Sequence, residues 1–91
     1  YQAGTAVTTG DENTIIGALA ADALTTGADN VAVGSSALTA DTAGNDSVAV
    51  GRRALMSQNF STSTSSFNTA VGPSAGQVVT TQEFRTLLWV V

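Results

Sequence analysis

The side chains able to do chemistry in this 91-residue chain are seven carboxylates, three guanidiniums and a large set of hydroxyls. There is no His, Cys or Lys, and the cations are Arg52, Arg53 and Arg85. A hydrolytic or transfer site needs a nucleophile with a base, two opposed acids, or a metal. Without imidazole, thiol or amine, no serine or threonine has an ordinary base beside it, and no Gly-x-Ser-x-Gly elbow occurs. Zinc lacks its two commonest ligands. Asp11, Glu12, Asp29, Asp41 and Asp46 fall in or near turn segments rich in Gly and Asn. The Gly-Gly-x-Gly-x-Asp pattern of calcium-binding repeats is missing, and calcium needs several oxygens converging on one point. Two acids acting on a glycosidic bond are the remaining option, but these turns carry no aromatic platform. The expectation is solvated turn carboxylates, no enzyme, no cofactor and no metal.

The elements behind these turns must be built from small residues. The chain holds fifteen Ala and ten Val against six Leu and two Ile. Alanine contributes little burial per residue, so a single globular core would be thin. A repetitive core with closely approaching layers suits this composition better. The net charge of -4 with three cations leaves no electrostatic footprint for nucleic acid. No apolar run reaches the eighteen or so residues of a membrane span.

A repeat supplies the architecture. Asn13-Thr14-Ile15-Ile16-Gly17 returns as Asn30-Val31-Ala32-Val33-Gly34, as Ser47-Val48-Ala49-Val50-Gly51 and as Asn68-Thr69-Ala70-Val71-Gly72. Gly17, Gly34 and Gly51 are 17 residues apart, and Gly72 follows after 21, one period with four extra residues. Ala20, Ala37, Ala54 and Ala75 keep the phase, as do Gly10, Gly27 and Gly44, and Thr8, Thr25 and Thr42. The five-residue cores are rich in Val, Ile and Thr, and Gly, Asn and Asp cluster between them, which reads as strand and turn. The predicted fold is all-β, a parallel β-solenoid with about 17 residues per coil and about 4.8 Å of rise per coil.

Alternation along each strand separates two faces. Thr14, Val31, Val48 and Thr69 share one face with Ile16, Val33, Val50 and Val71, and this bulky set is expected inside the coil. Ile15, Ala32, Ala49 and Ala70 share the other with the repeat glycines. That small column is expected to admit a second backbone, as at a subunit interface.

These motifs resemble the head repeats of YadA-like trimeric autotransporter adhesins and the related tail-fibre repeats of bacteriophages. The residues that carry the resemblance are Asn30-Val31-Ala32-Val33-Gly34-Ser35-Ser36-Ala37 and Ser47-Val48-Ala49-Val50-Gly51-Arg52-Arg53-Ala54, with Tyr1-Gln2-Ala3-Gly4 matching the residues after the phage-like core. The resemblance implies a left-handed parallel β-roll, three identical chains around one axis, and attachment to a host surface protein or glycan. It places the segment outside the cell, on a bacterial surface or a virion fibre. The period of 17 favours the phage-like or an uncharacterised fibre branch, and Ser65 stands where the fourth repeat would carry its earlier glycine.

Four further features bear on function. The β-roll repeats cover residues 1–76, with the insertion near 57–67. Its centre, Ser61, Thr62, Ser63, Thr64, Ser65 and Ser66, is polar and flanked by Phe60 and Phe67, and is the candidate receptor-contact loop. Arg52 and Arg53 either face solvent or pair with Asp41 or Asp46 of a nearby coil. The Thr8, Thr25 and Thr42 ladder raises an ice-binding alternative, weakened where its neighbour column Thr9 and Thr26 ends at Ala43. Residues 77–91 are expected to form a last coil and an apolar cap or interface segment around Trp89. The function expected is a structural or adhesive segment of a trimeric extracellular fibre, with a passive spacer as the alternative.

Overall fold

The computed structural model describes residues 2–60, 62, 64–65, 68–77 and 86–88. Among them the chain is all-β, with seven short strands and no helix: β1 (Thr14–Ile16), β2 (Val31–Val33), β3 (Gly44–Asn45), β4 (Val48–Val50), β5 (Thr64–Ser65), β6 (Thr69–Val71) and β7 (Thr86–Leu88). One parallel sheet runs in the order β1-β2-β4-β6-β7, and β3 pairs with β5 in a second, also parallel. The register follows the repeat: Thr14 lies beside Val31, Val31 beside Val48 and Val48 beside Thr69. Thr69 lies beside Thr86, so the 17-residue spacing resumes after the insertion and carries the sheet into the segment where the sequence pattern fades.

Repeat units are joined well beyond the strands. Thr25 N–H donates to Thr42 O at 2.9 Å, Leu38 N–H to Ala54 O at 2.9 Å, and Ser36 N–H to Ala18 O at 2.9 Å. Each unit also closes a tight turn, in which Ala20, Ala37, Ala54 and Ala75 donate back to Gly17, Gly34, Gly51 and Gly72 at 3.1–3.2 Å. These turns explain two sequence columns together. The four glycines have φ between 121° and 128°, a region L side chains rarely adopt. A Cβ on Gly34 would lie 2.6 Å from the carbonyl carbon of Gly51, so neighbouring units touch backbone to backbone there.

The buried core contains Ala20, Ala21, Leu24, Ala32, Ala37, Leu38, Ala49, Ala54, Leu55, Ala70 and Ala75, with Ala3, Val7 and Ile15 packed against it. This reverses the two strand faces. Ala32, Ala49 and Ala70 are fully buried within one chain, so they are core and not a surface for another subunit; Ile15 is half-buried in the same row. The bulky set faces out, with Ile16 59% and Val71 38% exposed. The cause is volume. Leu24, Leu38 and Leu55, from the segments between strands, take up much of the interior; the inward row packs with them as the small side chains of Ala32, Ala49 and Ala70, and the larger Ile15 stays half-buried. The alternation was legible in sequence, but its sense depended on where the leucines point.

Candidate functional site

The candidate surface is the outer face of the five-stranded sheet. The in-register pairing sets Ile16, Val33, Val50 and Val71 in one row, and Thr14, Val31, Val48 and Thr69 in a second. In a single chain Thr14, Ile16 and Val71 are exposed and the other five half-exposed. Each row stacks β-branched side chains on neighbouring strands, the arrangement that packs well on a pleated surface. Apart from the hydroxyls of Thr14 and Thr69, these two rows are aliphatic.

The candidate loop divides. Thr62 is exposed. Thr64 and Ser65 belong to β5 and pair with Gly44 and Asn45, so part of the expected bulge is sheet. Ser61, Ser63 and Ser66 lie outside the described residues, as do Phe67 and Trp89. The register shows how the four extra residues are shared out. Ala43 N–H still donates to Phe60 O at 3.0 Å, a spacing of 17. Gly44 pairs with Thr64, a spacing of 20, and Val48 with Thr69, a spacing of 21. Three extra residues therefore fall between Phe60 and Thr64, and one between Ser65 and Thr69. It is Thr64, rather than Ser65, that takes the place of the glycine in the fourth repeat.

The charged residues also divide. Arg52 and Arg53 are exposed, as are Asp11, Glu12 and Asp29, while Asp46 is half-exposed. Asp41 is the correction: its carboxylate is fully buried and bonded to Gln58 and to backbone N–H groups, and neither Arg52 nor Arg53 is its partner. No group of three or more acids able to hold a metal occurs among the described residues. The threonine ladder turns inward along the stack. Thr8, Thr25 and Thr42 each donate their hydroxyl to the carbonyl of the next unit, at 3.3, 3.1 and 3.0 Å. Hydroxyls already donated to the backbone are poor candidates for an ordered water lattice.

Comparison with family models, with curated proteins and with solved structures gave no match. No helix among the described residues is long and apolar enough to cross a membrane.

Sequence reasoning placed the outer rows inside the coil, and missed Asp41 and Gln58 as interior residues. A signal for the second existed. Val7, Leu24, Asp41 and Gln58 stand at successive 17-residue steps, so an acid and an amide continue a column that begins as core.

Proposed function

We propose that the chain is a segment of a left-handed parallel β-roll, a β-solenoid with 17 residues per coil, in which three identical chains form an extracellular fibre for attachment. The observation that carries the reading is the uncovered row of Ile16, Val33, Val50 and Val71. Parallel sheets are ordinarily covered on both faces. Here one face is covered by the chain's own leucines, and the other presents stacked β-branched side chains to solvent. Three copies meeting on these rows would complete the covering. The ladder of hydrogen bonds from unit to unit supports the solenoid, because no unit buries its face without its neighbours.

Light scattering tests the assembly. Three times the chain mass is expected, and the pair Ile16→Asp with Val50→Asp is expected to give monomers, because each added carboxylate would be buried unpaired. A wild-type chain that stays monomeric at high micromolar concentration would overturn the reading. Attachment is tested separately on arrays of glycans and matrix proteins: removal of residues 61–63 is expected to abolish binding and leave the trimer intact. The spacer alternative is favoured by the pairing of Thr64 and Ser65 with β3, which shortens the free part of the loop. Failure of every array probe with an intact trimer selects the spacer.

A further inference from the structure

The interior changes character at the third repeat. In the first two units, asparagine side chains tie one unit to the next. Asn13 accepts from Asn30 N–H at 3.0 Å and donates to Gly27 O at 2.9 Å. Asn30 accepts from Ser47 N–H at 2.9 Å and donates to Gly44 O at 2.8 Å. At the third unit the position is Ser47, and a hydroxymethyl group is shorter than an asparagine side chain by one polar group. Beside it Leu24 gives way to Asp41 and then Gln58.

These changes compensate one another. Gln58 Nε2 donates to Ser47 Oγ and to Asp41 Oδ2, each at 2.8 Å, and Asn68 Nδ2 donates to Gln58 Oε1 at 2.8 Å. Asp41 Oδ1 accepts from Phe60 N–H at 2.9 Å and from Gly44 N–H at 3.2 Å. All four side chains are fully buried. Gly44 is required here, since the Asp41 carboxylate occupies the space that a Cβ would take.

The positions of these bonds carry the inference. Phe60 is the last residue in the 17-residue register, and Gly44 is the first whose partner has slipped to 20. One carboxylate oxygen holds both. Gln58 lies before the insertion and Asn68 after it, and their side chains are bonded to each other. We propose that Asp41, Ser47, Gln58 and Asn68 form a clamp across the base of the insertion, which makes the stability of the stack only weakly dependent on the length of the segment between Phe60 and Thr64. A loop closed at its base by buried side chains bonded to one another through Gln58 adds mainly chain entropy when lengthened, and that term grows slowly with length. Without the clamp, the strain of a longer loop would pass directly into the β3–β5 pairing. The proposal stands whether or not the chain trimerises or binds a receptor.

The test is a four-way comparison in the 91-residue chain: wild type, Gln58→Met, a Gly-Ser-Gly-Ser insertion after Thr62, and both changes together. With the clamp intact, lengthening is expected to lower Tm by about 2 °C. In the Gln58→Met background the same lengthening is expected to lower it by about 5 °C or more. Equal shifts in the two backgrounds would overturn the clamp. Should Gln58→Met fail to fold, amide exchange in the lengthened wild type decides. Unchanged protection at Gly44 and Phe60 is the expected result, and loss of protection at either amide would overturn the proposal.

Discussion

The first two repeats and the next two solve one problem with different chemistry. Between Gly10 and Gly34 the interior is apolar at Leu24, and in the neighbouring column an asparagine side chain, Asn13 or Asn30, reaches from each unit to the next. Between Asp41 and Gly72 the same two columns hold an acid, an amide, a hydroxyl and one asparagine, joined through Gln58. The backbone scarcely differs: β1-β2 and β4-β6 pair in the same register. A stack of parallel strands thus tolerates an exchange of core chemistry when the new buried polar side chains bond to one another. The exchange coincides with the one place where the repeat is interrupted.

Three sets of substitutions break or sharpen that contrast. The largest effect is expected from Leu24→Asp, which moves the third unit's acid into the second. No Gln58 stands opposite it, so an unpaired carboxyl would be buried at a loss of about 4 kcal/mol. A shift of the urea midpoint measures this, and a well-tolerated Leu24→Asp would dissolve the distinction between the two regions.

A smaller effect is expected from Asp41→Leu, which gives the third unit the side chain of the second. It strands the N–H groups of Gly44 and Phe60 and one N–H of Gln58, but regains apolar burial. The net loss expected is about 2–3 kcal/mol. Adding Gln58→Leu to Asp41→Leu should recover part of this, as a double-mutant cycle would register.

The smallest effect concerns a feature that both regions share. The threonine ladder runs unbroken from Thr8 to Thr42. Thr25→Val and Thr42→Val should each lower stability by about 0.5–1 kcal/mol, and by equal amounts. A much larger loss at Thr42 would mean that the clamp extends into the ladder.

Much of this architecture was legible in the chain itself, because a repeat writes its own register. The spacing of Gly17, Gly34, Gly51 and Gly72 set which residues lie side by side. The Val, Ile and Thr content of the cores set their strand character, since β-branched side chains fit a pleated surface. The scarcity of cations and the lack of His, Cys and Lys shaped the expectation of a contact protein.

What remained closed to sequence were the quantities that depend on volume and direction. Alternation separates two faces of a strand but does not say which of them meets the core. That was decided by Leu24, Leu38 and Leu55 filling much of the interior beside the small side chains of Ala32, Ala49 and Ala70. The carboxylate of Asp41 reads as a solvated turn residue until Gln58, Phe60 and Gly44 are seen around it. The division of four extra residues into three and one is a matter of backbone pairing, which no local pattern near Ser61–Ser66 encodes. Period and strand propensity are properties of the chain taken one residue after another. Burial and polar satisfaction belong to neighbours that only folding brings together.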